Sequence, residues 1–317
     1  MNLMWFRQDL RTFDNTAFAA CCEHAQQNHA GVIAVVYLTP KQWQSHRKSL
    51  WQIDLILRQI RALEQSLSQL NIGIIIRVVD DFALQATDVL ELCQQLSISH
   101  LFANLEYPVN EVARDQYIAQ QAQSLGIVTQ WFDDSQVVAP QRIVTDKGMP
   151  YKVFTPFYKR WLAMVETGGL TLSPTPAAMA INTTQLAKDS RNTNTNHHIT
   201  IDAFYRAYLT PTAALDKQLT HVGELAQLLY PAGEAAAQSR LDDFLKKHIA
   251  DYLNCILCAI GGFLGILLPE SPRSERADAV VYDRLGLFHS AFVSSGRIGN
   301  LPGRVLYPVF PVSNGWC

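Results

Sequence analysis

Through the first 135 residues, short apolar runs alternate with stretches of helical spacing, and that alternation narrows the possible folds more than any other feature. The runs are Leu3-Met4-Trp5-Phe6, GVIAVVYL (31–38), IGIIIRVV (72–79), HLFANLEY (100–107) and GIVTQWFDD (126–134). Such runs are what strands buried on both faces of a sheet show. Between them, residues 17–27, 49–70, 82–96 and 112–124 read as helices. In the second of these, Leu50, Ile53, Leu55, Ile56, Ile60, Leu63 and Leu67 recur at near-helical spacing. Strands separated by helices in this way form βαβ crossovers and a parallel sheet. The expected opening is an α/β domain over residues 1–135, a Rossmann-like, doubly wound sheet of five parallel strands.

The first strand runs straight into a charged loop. Arg7, Asp9, Arg11 and Asp14 arrive within eight residues, before AFAACC starts a helix that Asp14 can cap. Ligands of open α/β sheets gather where loops leave the carboxyl ends of strands. This loop is therefore either part of a site or a rigid ion-pair brace. No GxGxxG follows the first strand and no Walker A motif occurs, so the usual dinucleotide and P-loop readings have no support.

A chain of 317 residues with 48% hydrophobic and 17% charged residues can bury a substantial core. A net charge of -2 does not advertise nucleic-acid binding by the chain as a whole. Arg7, Asp9 and Arg11 stand where a secretory signal needs apolar residues. Six cysteines in this length form no disulfide framework, so a reducing, cytoplasmic setting is expected. Cys255-x-x-Cys258 has zinc-finger spacing without a second pair, so no metal site is expected.

The texture changes after Ser135. YKVFTPFYKRWLAMVE (151–166) reads as a turn and then a helix, with Pro156 near its start. Residues 168–200 are rich in Thr, Asn, Ser and Pro, the composition of a linker crossing a surface. Helical character returns at 234–252. The last 65 residues, from Leu253, contain no Gln, Lys, Thr or Met, yet hold eight of the 16 glycines. NCILCAIGGFLGILLPE within them is apolar over about 15 residues, short of the roughly 20 a membrane-spanning helix needs. This tail reads either as an irregular cap or as the product of a reading-frame shift near codon 253.

Five separated motifs carry a resemblance: WFRQDLRTFDN (5–15), TPKQW (39–43), LEYPVNEVARD (105–115), FDDS (132–135) and YKVFTPFYKRW (151–161). In this order they resemble the N-terminal half of the photolyase/cryptochrome family, most closely bacterial enzymes that repair cyclobutane pyrimidine dimers. The resemblance covers about residues 1–252, loosely over 168–230. It implies an α/β antenna domain (1–135), an interdomain linker (136–230) with a helix near 154–166, and the start of a helical FAD domain (231–252). It also implies light-driven, FAD-dependent repair of pyrimidine dimers in DNA, in a monomer with a 5,10-methenyltetrahydrofolate antenna. A cryptochrome-like photoreceptor and an inactive fragment are the alternatives.

By the same resemblance, Asn110 and Glu111 contact the pterin of the antenna. A pterin presents an amino group and a ring N–H side by side, and one carboxylate can accept both. An ordinary first-turn glutamate is the other reading of Glu111. His46 falls where folate-binding members carry a histidine, and a surface histidine in QSHRK is its alternative. Arg7, Asp9, Arg11 and Asp14 match the family's structural signature. Lys152, Lys159 and Arg160 interleave with aromatic residues, which fits either a nucleic-acid surface or interdomain packing; the resemblance favours packing. Tyr252 matches an FAD-contacting tyrosine, but the phosphate cradle expected after it is absent. The 317 residues alone are therefore expected not to catalyse repair, and no catalytic residue is assigned.

Overall fold

The computed structural model describes residues 1–168, 172–190, 199–204 and 227–247. Tyr252, the CxxC pair and the tail from Leu253 lie outside the described residues. Contacts divide the chain into two units, Met1–Glu234 and Ala235–Cys317.

The first unit is a five-stranded parallel sheet in the order β3-β2-β1-β4-β5. Its strands are β1 (Asn2–Phe6), β2 (Val32–Leu38), β3 (Gly73–Val78), β4 (His100–Asn104) and β5 (Val128–Phe132). Between them run α1 (Thr16–Gln27), the short α2 (Pro40–Ser45), α3 (Leu50–Gln69), α4 (Phe82–Gln95) and α5 (Val109–Ser124). The chain winds outward from β1 to β3, crosses back over β1, and continues to β4 and β5. The point of reversal lies between β1 and β4.

Side chains alternate across the sheet because successive Cβ atoms of a strand point to opposite faces. Met4 and Phe6, with Ala34, Val36, Ile74, Ile76 and Phe102, face α1 and α3, which offer Phe18, Cys21, Leu57 and Ile60. Leu3 and Trp5, with Ile33, Val35, Ile75 and Leu101, face α4 and α5, which offer Val89, Leu92, Cys93 and Ile118. Both faces are covered, so every residue of β1 to β3 is buried and the strands read as unbroken apolar runs. The winding and the strand count are those expected from the sequence.

Local signals place the helix ends. Ser49 and Gln52 form a capping box at the start of α3, each side chain serving the other's backbone N–H. Asp81 caps α4. The cap of α1 is Asn15, whose side chain accepts from Phe18 N at 3.1 Å; Asp14, the expected cap, does not hold that place. Asp14 adopts a left-handed conformation, φ 49°, and its carboxylate accepts from Ser173 N. Helix α5 begins at Val109, three residues before its apolar periodicity starts, so Asn110 and Glu111 sit inside its first turn.

Residues 172–190 do more than cross a surface. Met179, Thr183 and Ala187 are buried. The Thr183 hydroxyl donates to Val32 O at 2.6 Å and accepts from Gly73 N at 2.9 Å. Farther along the same edge, Ile199 N donates to Ile76 O. The segment, which includes α7 (Thr184–Asp189), therefore covers the free edge of β3, which would otherwise present unpaired backbone groups. Small and polar residues do this because the approach is close. A Cβ at Gly73 would come within 2.5 Å of Thr183 O and 2.6 Å of the Ala187 Cβ.

Beyond the sheet, α6 (Phe154–Gly168) follows a tight turn, and α8 (Ile201–Phe204) seats Phe204 against Trp43. The second unit is described only in α9 (Glu234–Lys247) from Ala235 onward. There Lys247 pairs with Asp243 one turn earlier. No helix among the described residues is long and apolar enough to cross a membrane.

Candidate functional site

At the carboxyl ends of β1 and β4, four charges from distant parts of the chain converge. Arg7 leaves β1 and donates through Nη1 to both carboxylate oxygens of Asp115, at 2.9 and 2.7 Å. Arg114, on α5, donates to Asp115 from Nε and Nη2, to Glu106 at 2.8 Å and to Gln85 at 2.9 Å. Glu106 also lies 3.3 Å from Arg7. The Arg7, Arg114 and Asp115 side chains expose 5%, 3% and 8% of their surface, so water screens these charges little. The Trp5 ring lies against both guanidinium groups, 5.0 Å from Arg7 and 4.7 Å from Arg114, with Phe82 and Trp131 on the outer sides.

A second cluster fills the crevice at the reversal point. Asp9 accepts from Arg7 N at 2.8 Å and from Asn104 Nδ2. Asn104 also donates to Asn15 Oδ1, and its side-chain Oδ1 accepts from Ala17 N at 3.1 Å. Arg11 donates to Asp14 O and pairs with Asp134, which accepts from the Thr16 hydroxyl at 2.6 Å. Glu234 closes the far side of the loop, accepting from Thr12 N, the Thr12 hydroxyl and Phe13 N at 2.6, 2.8 and 3.0 Å.

Arg7, Asp9, Arg11 and Asp14 are thus a brace, and with Asn104 and Asn15 they occupy the position where an open α/β sheet commonly admits a ligand. Beside them Tyr107 holds its proton more tightly than an ordinary phenol, first because it is buried and then because it faces Asp133.

The polar groups that the brace leaves unused are on the rim. Asn110 is exposed and Glu111 half-buried in the first turn of α5. Neither side chain has a hydrogen-bond or ion-pair partner among the described residues. Glu111 stands at the positive end of α5, where a negative or polar group is favourably placed. His46 is exposed at the end of α2, past β2, and no contact brings it to Asn110 or Glu111. All three stand along the carboxyl-end edge of the sheet. A carboxylate acceptor with a neighbouring amide fits the paired N–H donors of a pterin. Among the described residues, no three His, Cys, Asp or Glu side chains form a metal site.

Glu106, Arg114, Asp115 and Asp134 lie inside the quoted motifs without having been given a role, and Asn104 lies outside them. A signal for two of them was present. Arg114 and Asp115 share the buried stripe of α5 with Ile118 and Ala122, and charges on an apolar stripe require partners.

In the α6 region, Tyr158 packs inward, while Lys152, Lys159 and Arg160 all point to solvent.

Fold and site together define an open parallel α/β domain whose switch point is braced shut and whose rim, among the described residues, carries unpartnered polar groups at Asn110 and Glu111. Comparisons with known proteins place it more narrowly. The sequence profile of the DNA photolyase family matches residues 2–179. A deoxyribodipyrimidine photo-lyase of Escherichia coli is 40% identical over 167 residues, covering 53% of this chain and 34% of that protein. One from Vibrio cholerae is 38% identical over 167 residues, covering 52% and 34%. The crystal structure of a bacterial class III photolyase from Agrobacterium tumefaciens superposes with a TM-score of 0.54 at 21% identity, over 77% of this chain and 44% of that one. The chain belongs to the DNA photolyase family. It spans between about a third and a half of the length of the curated relatives it matches.

Proposed function

We propose that the first unit is the light-harvesting domain of a deoxyribodipyrimidine photolyase, and that its rim at Asn110 and Glu111 holds a methenyltetrahydrofolate. The observation that carries this reading is Glu111: a first-turn carboxylate without a partner among the described residues, beside an amide, next to a crevice the protein has filled itself. Glu111 would accept the pterin's amino and ring N–H groups together, and Asn110 would fix the ring's orientation. His46 would contribute from the β2 side. Bound there, the folate supplies near-ultraviolet absorption. The brace beneath keeps the rim rigid, so little ordering cost is added on binding.

In the whole protein, the activity implied is FAD-dependent, light-driven splitting of pyrimidine dimers, with the lesion turned out of the DNA stack to reach the flavin. Tyr252 would be one contact of that flavin. The 317 residues are proposed to supply light harvesting and not the repair step. The cytoplasmic setting and the monomeric state belong to the same proposal. A cryptochrome-like photoreceptor is not favoured by any feature of the site. Titration of the purified chain with methenyltetrahydrofolate, read by its near-ultraviolet band, tests the proposal. A saturable, red-shifted band supports it, and a spectrum identical to free folate at all protein concentrations sinks it. Stoichiometric flavin in the purified chain, or dimer repair under blue light, would overturn the assignment of light harvesting alone.

A further inference from the structure

At the amino ends of β1 and β4, the opposite end of the sheet from the brace, two histidine rings lie against each other. His24, on α1, and His100, the first residue of β4, have ring centroids 4.1 Å apart. Both side chains are half-buried, and both stand against the buried Phe102 ring, at 5.7 and 6.3 Å. His100 is also the strand partner of Asn2, so the pair sits on the first rung that joins β1 to β4.

Hydrogen bonds decide where each ring carries its proton. Asn2 is fully buried and donates through Nδ2 to Cys21 O at 3.0 Å, which fixes the orientation of its amide. The same Nδ2 lies 3.0 Å from His24 Nδ1, so that nitrogen accepts and the neutral ring carries its proton on Nε2. A second proton on His24 goes to Nδ1 and sets two donors face to face. Turning the amide gives no relief, because Asn2 Oδ1 would then meet Cys21 O. On the other ring, Ser99 donates its hydroxyl to Met1 O at 3.2 Å, so the 3.0 Å contact between Ser99 Oγ and His100 Nδ1 is a bond that the ring donates. A second proton on His100 therefore goes to Nε2, beside the His24 ring. Burial, then His24, then the amino group of Met1 make His100 a weaker base than an ordinary histidine. The neighbouring titratable groups on α1 are Glu23, which is exposed and accepts from Gln27, and the Cys21 and Cys22 thiols, which burial keeps protonated. Neither ring has a carboxylate partner among the described residues.

We propose that the His24–His100 pair is an acid-sensitive latch between β1 and β4, closed while both rings are neutral and loosened as they gain protons. Two imidazolium rings in contact repel, and the rung has no anion to offset them. The folded chain resists a proton that the unfolded chain accepts. Stability is therefore full above about pH 6.5 and is lost as pH falls below it.

The test is urea unfolding of the full 317-residue chain at pH 7 and pH 5, beside His24→Gln/His100→Gln. Glutamine can still accept from Asn2 and donate to Ser99, but it takes no proton. One imidazole held neutral only in the folded state lowers the folding equilibrium constant by up to about 25-fold over this range. The wild type should lose about 10- to 25-fold more than the variant. Hydrogen exchange in residues 1–6 and 99–104, corrected for the chemical rate, should quicken at pH 5 in the wild type alone. The imidazole Cε1–H resonances of the wild type, which need no variant, should show His100 taking its proton below pH 6.5 and coupled to His24. Equal pH dependence in wild type and variant, unchanged exchange at pH 5, or two rings titrating independently at ordinary values would each overturn the proposal.

Discussion

Asp115→Ala isolates the ion network beneath the rim. The carboxylate accepts two bonds from Arg7 and two from Arg114, and both guanidinium groups are about 95% or more buried. Removing it leaves two buried cations with one remaining carboxylate, Glu106, which lies 2.8 Å from Arg114 and 3.3 Å from Arg7. Breaking a buried pair from one side costs about 3–5 kcal/mol, because an uncompensated charge stays behind. Glu106 limits this, which puts the expected loss near 3 kcal/mol. With a urea m-value of roughly 2 kcal/mol/M, the unfolding midpoint should fall by about 1.5 M. Removing a cation together with its acceptor should hurt less. Arg7→Met/Asp115→Leu keeps the Arg114–Glu106 pair and should recover at least half of the loss, by a double-mutant cycle. A loss under about 1 kcal/mol for Asp115→Ala would mean that water reaches these groups, and the brace argument would fail.

Three other perturbations follow from the structure. Gly73→Ala pushes a methyl group against Thr183 O and Ala187, and should cost about 1–3 kcal/mol in urea unfolding while exposing 172–190 to protease. Asn15→Ala removes a helix cap and two donor bonds to Asp9 and Arg11 O; a loss of about 1–2 kcal/mol is expected, whereas Asp14→Ala should spare the helix. Stability should fall as pH climbs from about 9 to about 12. Burial pushes the Cys22 and Cys93 thiols up from 9.0 to about 12, so the unfolded chain releases protons first. Cys93→Ala should flatten urea midpoints measured across that range.

Much of the sheet was legible because its chemistry is local. Strands buried on both faces are unbroken apolar runs, and the Ser49–Gln52 box marks the start of α3 in four residues. Three other features were not. The first turn of α5 contains Val109, 80% exposed, and carries no apolar period, so Asn110 and Glu111 look like loop residues. Asp14 and Asn15 are equally good caps by type; tertiary contacts decide, since Asn104 draws Asn15 inward and Ser173 meets Asp14. Residues 172–190 read as linker because Thr183 and Ala187 bury little apolar area, and their role is to satisfy and cover one strand edge. The brace itself depends on residues about a hundred positions apart, such as Arg7 and Asp115. The motifs at 5–15 and 105–115 contain the two halves, but their pairing across that distance is not visible in a single sequence.

The rim of α5 carries the central claim, and Glu111→Gln tests it most directly. Glutamine keeps the length of the side chain but removes the charge that accepts two N–H groups at once. Charge-assisted bonds contribute roughly 1.5–3 kcal/mol, so the Kd for methenyltetrahydrofolate should rise about 10- to 150-fold by absorbance titration of the full chain. Urea unfolding should show a loss of no more than about 0.3–1 kcal/mol, because Glu111 has no protein partner among the described residues and loses only its favourable place at the positive end of α5. An unchanged Kd at unchanged stability would contradict the account and return Glu111 to an ordinary helix-start glutamate.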